Sequence, residues 1–272
     1  TSTNSGLEYD VEKCIRCGCC VRFCEEVEGV CALTMDGRGI TMKVNTAHGR
    51  PLQQSDCELC GGCIRVCPTG AMREKVARGL GRNKDLTKVR TTCTYCGVGC
   101  SMDLNVNPGI NKVVRVTTAP GQGSNDGNLC VKGHFAFDFI SSPERLTNPL
   151  IRENGAFREA SWAEALERVG RGLAAIRDKH GPASVAYTSS SRCTNEENYL
   201  MQKLARTAGR TNNIDQCATT CHAPTVAGLA ASFGSGAMTN AIREIKAVQT
   251  MFLIGANPTE AHPIVGIEMK KA

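Results

Sequence analysis

Two stretches of this chain can be laid over one another, Cys14-Ile15-Arg16-Cys17-Gly18-Cys19-Cys20-Val21-Arg22-Phe23-Cys24 and Cys57-Glu58-Leu59-Cys60-Gly61-Gly62-Cys63-Ile64-Arg65-Val66-Cys67. Four cysteines superpose in each copy, at the spacing Cys-x2-Cys-x2-Cys-x3-Cys. Three thiolates that close in sequence wrap one face of a cubic iron-sulfur cluster, and where two such runs occur together the fourth cysteine of each ligates the other cluster. The spacing therefore predicts one 4Fe-4S cluster on Cys14, Cys17, Cys20 and Cys67, and a second on Cys57, Cys60, Cys63 and Cys24. A crossed ligand locks both halves into one domain. Structural zinc is the rival reading, but it prefers two Cys-x2-Cys knuckles per metal over runs of four.

The repeat also sorts the spare cysteines. Cys19 aligns with Gly62, which has no thiol, so it reads as a small buried residue; Cys31 lies outside both runs and reads the same way. Pro68 follows Cys67 as the bacterial ferredoxin pattern has it, whereas Glu25 follows Cys24. Between the copies, Met35-Asp36-Gly37-Arg38-Gly39-Ile40 carries the Asp-Gly signature of a turn joining short strands, and residues 71–90 read as a charged, glycine-containing exit. Residues 1–80 are thus expected to form a duplicated two-cluster bacterial ferredoxin domain.

Composition narrows the function classes. Seventeen cysteines would suit a disulfide-bonded secreted miniprotein, but their Cys-x2-Cys grouping suits metals and a reducing compartment. The formal net charge of +6 does not point to nucleic acid, because metal-bound thiols are deprotonated and erase a basic surplus. Lys and Arg are also scattered, and aromatics are only 4%, too few for a basic stacking surface. No apolar run reaches membrane-spanning length and no secretory signal is visible, so a cytoplasmic location with no membrane span is expected.

A third group, Cys93-Thr94-Tyr95-Cys96-Gly97-Val98-Gly99-Cys100, has the spacing Cys-x2-Cys-x3-Cys, and Cys130 in Gly127-Asn128-Leu129-Cys130-Val131-Lys132-Gly133 is its natural fourth ligand. A 4Fe-4S cluster and a zinc ion both fit four thiolates so spaced. Met102-Asp103-Leu104-Asn105-Val106 alternates, Asn107-Pro108-Gly109 turns, and Val113-Val114-Arg115-Val116 follows, which predicts a small β-hairpin carrying the site.

From Asn148 the pattern changes to alternating helix and strand. Ser161-Trp162-Ala163-Glu164 is a capping box, after which Trp162, Leu166, Val169, Leu173 and Ile176 recur at helical spacing as a core stripe until Gly181-Pro182. Residues 183–188 read as a strand, and Thr194 with Glu197 caps a second helix bearing Leu200, Met201 and Leu204. Residues 212–215 read as a strand and Gln216 to His222 as the loop leaving it, the position where parallel α/β sheets bind ligands. Pro224 falls in the first turn of the next helix, so Cys221 and His222 stand near a helix N-terminus that favours thiolate and small anions. The pair has three readings: a metal ligand with its proton partner, a Cys-His nucleophile, or two residues without chemistry. Residues 250–254 read as another strand, followed by the turn Gly255-Ala256-Asn257-Pro258-Thr259-Glu260-Ala261-His262-Pro263.

The third cysteine group, Ser190-Ser191-Arg192-Cys193-Thr194-Asn195-Glu196-Glu197-Asn198-Tyr199, Thr211-Asn212-Asn213-Ile214-Asp215 and Cys221-His222-Ala223-Pro224-Thr225-Val226-Ala227-Gly228-Leu229 together resemble the bis-molybdopterin oxidoreductases. Within that family they resemble most the catalytic (alpha) subunits of formate dehydrogenases, over nearly the whole chain. The resemblance implies α+β and α/β multidomain architecture: the two-cluster ferredoxin domain at 1–80, a small β-rich 4Fe-4S domain at 81–147, and the start of an α/β molybdopterin-binding domain at 148–272. It implies three 4Fe-4S clusters and a bis-molybdopterin guanine dinucleotide carrying Mo or W. Cys221 takes the place of the cysteine or selenocysteine that ligates the metal, and His222 that of the histidine assisting the proton or hydride step.

Lys132, read from composition an ordinary surface lysine, takes the place of the lysine between cluster and pterin. Arg192, Gly255, Asn257, Glu260 and His262 take the places of cofactor contacts, the last four toward the nucleotide half. Thr219 departs from the arginine usual there. The implied substrate pair is formate and carbon dioxide, whose small anion suits a helix N-terminus. The implied partners are an electron-accepting subunit, an NAD- or ferredoxin-linked flavin or iron-sulfur protein, and the remainder of the catalytic subunit, since the sequence stops inside a predicted helix. Two other functions fit parts of the pattern: a non-catalytic iron-sulfur electron-transfer subunit related to NADH dehydrogenase, and a nitrate-type oxidoreductase of the same family.

Overall fold

The computed structural model describes residues 6–272. The chain divides into two compact units, Thr1–Pro143 with Asn240–Ala272, and Glu144–Thr239.

The first unit begins with β1 (Leu7–Tyr9), α1 (Cys19–Arg22), β2 (Leu33–Asp36), β3 (Lys43–Thr46), α2 (Gly62–Arg65) and β4 (Met72–Glu74). β1 pairs antiparallel with β4, Leu7 opposite Glu74, and β2 with β3 across the Asp36-Gly37 turn. Leu7, Cys20, Val44 and Met72 form the buried core beneath them. The sequence repeat is also a backbone repeat. Arg16 and Leu59 both take left-handed φ, 59° and 55°, and Gly18 and Gly61 follow at 72° and 77°, each opening its short helix.

The copies diverge after their fourth cysteine. Pro68 cannot extend a helix, and α2 ends at Arg65, so the chain returns quickly: Met72 N–H, five residues on, donates to Cys67 Sγ. With Glu25 in the corresponding place the helix continues as a π-type turn, Phe23–Val27, and the donor to Cys24 Sγ is Ala32, eight residues on. Gly62 leaves room for the Phe23 ring, since a Cβ there would stand 1.8 Å from it. Cys19 and Cys31 correct the expectation of burial. Cys31 is exposed, and Cys19 is half-buried with its sulfur 3.7 Å from the Arg22 guanidinium.

Next come β5 (Thr87–Thr92), β6 (Ser101–Asn107) and β7 (Lys112–Thr117), an antiparallel sheet in the order β5-β6-β7, and then α3 (Val131–Phe135). The predicted hairpin is β6-β7. β5 adds a third strand from a stretch read as exit, because Arg90 on it pairs with the buried Asp103 of β6.

In the second unit, β8 (Leu150–Glu153) and β9 (Ala156–Glu159) form a hairpin ahead of α4 (Trp162–His180). β10 (Tyr187–Ser189), α5 (Asn195–Thr207) and β11 (Ile214–Gln216) follow, then α6 (Ala218–Cys221) and α7 (Ala223–Phe233). β10 and β11 are parallel, Tyr187 opposite Ile214, so α5 is the crossover of a β-α-β unit. Thr194 and Glu197 make both bonds of the capping box on α5. On α4 only half of the predicted box forms: Ser161 accepts from Glu164 N–H at 3.2 Å, while the Glu164 carboxylate turns to Arg158 at 2.5 Å. The apolar stripe of α4 is not core in this unit. Trp162 is 67% and Leu166 64% exposed.

The segment that rejoins the first unit carries α8 (Pro258–Ala261) and α9 (Pro263–Lys271). Ile264 and Ile267 of α9 enter a core with Cys93, Val98, Cys100, Val116 and Leu129. Residues 250–254, expected as a strand, are irregular: no ladder partner lies beside them among the described residues, and Phe252 and Ile254 are exposed. Among the described residues no helix is long and apolar enough to cross a membrane.

Candidate functional site

Cys24, Cys57, Cys60 and Cys63 line a single cavity walled by Tyr9, Val44 and other core side chains. Backbone amides point at their sulfurs: Leu59 to Cys57 at 3.4 Å, Gly62 to Cys60 at 3.4 Å and Ala32 to Cys24 at 3.2 Å. Leu59 is itself the left-handed residue of this loop, at φ 55°. Burial pushes the Cys60 and Cys63 thiols far up, and neighbouring charges, Glu28 for Cys60 and Cys57 for Cys63, push the same way. In the other set, Cys14 and Cys67 pack against the core around Cys20. Burial pushes the Cys20 thiol up to about 11, with Cys67 and Cys14 adding to it. Amides of Arg16 and Met72 donate to Cys14 and Cys67, both at 3.4 Å. Cys17 stands exposed at the rim. Buried thiols whose charged form is penalised, yet which face amide donors, fit a group that supplies positive charge to sulfur.

The third set occupies the end of the β5-β6-β7 sheet. Cys93, Cys96, Cys100 and Cys130 line one cavity together with Tyr95, Leu129 and Lys132. The Cys93 amide donates to Cys100 carbonyl at 2.8 Å, closing the loop between β5 and β6, and Cys130 immediately precedes α3. Burial pushes Cys100 up to about 12, helped by Cys93, Cys96 and Cys130. Lys132 is exposed while sharing that wall. Among the described residues no three Cys, His, Asp or Glu side chains converge closely enough for a single metal ion; these cysteines stand apart around cavities.

Residues with no sequence signal hold these sets in register. Asn125, 1% exposed, accepts from Ser101 N–H at 2.9 Å and donates to the carbonyls of Ser101 and Asn128, tying Cys100's neighbour to the loop before Cys130. Arg65 of α2 donates to Gly127 carbonyl at 2.8 Å and to Asn128 Oδ1 at 3.2 Å, and lies over the Phe23 ring. His134 and Glu74 are buried against each other. The Gly-Gln-Gly-Ser-Asn-Asp-Gly-Asn sequence of residues 121–128 is the one hint that such a loop needs side-chain bracing.

In the second unit, β10 and β11 deliver two loops side by side. Ser191, just past β10, donates to Cys217 Sγ from its amide at 3.3 Å and approaches it with its hydroxyl at 3.2 Å. The Ser191 hydroxyl and amide bonds hold the Cys217 thiol below its ordinary range. Cys221 ends α6 and is exposed; His222, also exposed, occupies the N-cap position of α7 with Pro224 in the first turn. Thr219 donates to Asp215 Oδ1 at 2.6 Å and steadies this turn. Arg192 lies on the loop after β10, exposed. In the first unit, Gly255 takes a φ of 62°, and Asn257 donates to Glu260 at 3.4 Å, bringing those two together, with His262 exposed at the end of α8.

Residues 145–272 match the molybdopterin oxidoreductase family, residues 86–142 match the molybdopterin oxidoreductase Fe4S4 domain, and residues 6–73 match the ferredoxin-like domain of NADH-quinone oxidoreductase subunit 3. The chain belongs to the molybdopterin oxidoreductase family. The Fe4S4 match favours a cluster over zinc on the third set. The chain is 38% identical to a Bacillus subtilis (strain 168) protein named as a probable oxidoreductase, YjgC, over 97% of this chain and 30% of the relative. It is 35% identical to a Staphylococcus aureus (strain USA300) protein provisionally named formate dehydrogenase, with the same coverage. The chain therefore spans under a third of the length of these relatives, 30%. Among solved structures, acetylene hydratase from Pelobacter acetylenicus aligns with a TM-score of 0.42 at 16% identity, over 59% of this chain and 20% of that one.

Proposed function

We propose that this chain is the cluster-bearing part of a formate dehydrogenase catalytic subunit, interconverting formate and carbon dioxide. The observation that carries the reading is the Cys221-His222 pair, at the start of a helix and just beyond the carboxyl end of a parallel strand. The 35% identity to a relative provisionally named formate dehydrogenase supports it. In this reading a Mo or W bis-molybdopterin guanine dinucleotide, when bound, would supply the acceptor for the two electrons of formate, and three 4Fe-4S clusters on the cysteine sets would supply one-electron carriers.

The chain's own residues hold and arrange these groups. Cys221 would ligate the metal through an exposed thiol, and the N-terminal end of α7 would favour a carboxylate substrate. His222, next to it, takes up the proton released as formate is oxidised and returns it in reverse. Cys217, Ser191 and the Thr219–Asp215 bond fix the turn on which both sit. Lys132, on the wall of the third cysteine set, would keep a cation beside the third cluster. Arg192, Gly255, Asn257, Glu260 and His262 would contribute contacts to the cofactor. The ferredoxin domain, 1–80, hands electrons to an NAD- or ferredoxin-linked partner; a thiol-rich chain of this kind works in the cytoplasm. The test is formate-driven dye reduction with metal analysis of the full-length assembly. Activity unchanged by Cys221→Ala, or the absence of both Mo and W, sinks the reading.

One observation favours a second reading. Residues 6–73 match a domain of an NADH-quinone oxidoreductase subunit, which suits an electron-transfer subunit without pterin. Full iron content with no pterin fluorescence in the purified assembly would select it.

A further inference from the structure

The two halves of the ferredoxin repeat are alike in backbone and unlike in what they touch. Gly18 and Gly61 occupy equivalent positions at φ 72° and 77°. Around Gly18 an added Cβ would meet nothing within 4 Å; at Gly61 it would stand 2.4 Å from His134 Nδ1 and 2.6 Å from Cε1. The imidazole of His134 therefore rests on the bare backbone next to Cys60. Its own amide donates to the Cys130 carbonyl at 3.0 Å, and Nε2 is held 3.3 Å from Glu74 Oε1. The equivalent arginines differ in the same sense. Arg22 turns to Cys19 Sγ on its own helix, whereas Arg65 reaches Gly127 and Asn128, just before Cys130.

We infer that His134, seated on Gly61, is the positioning residue that sets the gap between the cluster held by Cys57, Cys60, Cys63 and Cys24 and the cluster held by Cys93, Cys96, Cys100 and Cys130. This makes the Cys57 set, not the Cys14 set, the direct exchange partner of the third cluster. The inference rests on the reading that these cysteines hold 4Fe-4S clusters. The step is a single electron transfer: one cluster is oxidised by one electron, the other reduced by one, and no bond or proton is exchanged. Glu74 and Arg65 fix the imidazole and the Cys130 loop from the ferredoxin side, so the gap is set by packed side chains and not by a flexible linker.

The repeat supplies its own control. Gly61→Ala and Gly18→Ala impose the same left-handed strain on equivalent loops, but only the first drives a methyl into His134. His134→Gln retains a donor for Glu74 while removing the ring, without overpacking. The cluster-loaded full-length protein is reduced stepwise, and the magnetic interaction between clusters is read by electron paramagnetic resonance, with freeze-quench timing of electron arrival on the Cys57 set. Gly61→Ala and His134→Gln are expected to lose the interaction with the third cluster and to slow that arrival, with iron content and the coupling inside the ferredoxin pair unchanged. Gly18→Ala is expected to behave as the parent. An interaction that survives both Gly61→Ala and His134→Gln, or is lost equally in Gly18→Ala, overturns the inference. A parent protein lacking three cluster signals overturns the cluster reading beneath it, a different result.

Discussion

His134 Nε2 lies 3.3 Å from Glu74 Oε1, and both residues are only 6% exposed, so a buried side-chain contact joins the strand that closes the ferredoxin fold to the helix that follows Cys130. Burial works to raise the Glu74 carboxyl, but the His134 bond, its own backbone amide and the nearby charges of His134 and Arg115 outweigh it and hold Glu74 below the ordinary 4.5. A carboxylate depressed in the folded state contributes stability above its unfolded pKa and loses it as pH falls through the folded one. Melting temperature is expected to drop as pH falls below about 4.5, and Glu74→Gln to flatten that part of the profile. Glu74→Ala strands a buried imidazole and is expected to cost about 1–3 kcal/mol by chemical denaturation.

Cys19 and Cys20 are neighbours with opposite expected behaviour. The Cys20 thiol is buried among Cys14 and Cys67, whereas Cys19 is half-buried beside Cys17 and Arg22. Cys19→Ser is expected to leave iron at about twelve per chain, while Cys20→Ser drops it toward about eight, one cluster's worth. Iron and sulfide analysis of the purified variants checks this; equal losses would make Cys19 a ligand.

The two helix caps of the second unit are graded by how completely each is made. Thr194 and Glu197 bond reciprocally, but Ser161 lacks its return partner because Glu164 is held by Arg158. Thr194→Ala is expected to cost about 1 kcal/mol and Ser161→Ala less, since an N-cap loss is larger when both orphan amides are served. Thermal melts of the two variants, compared at one pH, give the order.

What could be read from sequence divides along a physical line. Ligand spacing is local, so the paired cysteine runs, the β6-β7 hairpin and the α5 cap are written in short words of sequence. Contacts between distant segments leave no such word. Nothing in Gly61, Glu74 or Arg65 announces His134, Gly127 or Asn128 as a neighbour, and each lies more than sixty residues from its partner or close to it. The failed strand at 250–254 and the uncovered stripe of α4 share another cause. Apolar periodicity reports that a face wants covering, and only the fold reports whether something in the chain covers it. Cys19 and Cys31 depart from the burial usual for cysteine; the repeat says that Cys19 has no partner thiol, not which way it points.

Asn125 is where this non-local bracing is most exposed to test. Its amide side chain is almost fully buried and serves both the N–H and the carbonyl of Ser101, adjacent to Cys100, as well as the Asn128 carbonyl, two residues before Cys130. Two of the third set's four thiols are therefore spaced by one side chain. Asn125→Ala leaves three backbone groups without their partner, a cost of roughly 1–3 kcal/mol for each that stays buried, and frees the Cys130 loop to drift from β6. The third cluster is expected to be lost selectively, iron falling from about twelve toward about eight, while both ferredoxin signals persist in the resonance spectrum. Asn125→Asp keeps the acceptor for Ser101 N–H and loses both donors, so it should fall between. Loss of all clusters together would mean that Asn125 supports the whole unit, and unchanged iron would mean that the thiols hold their spacing without it.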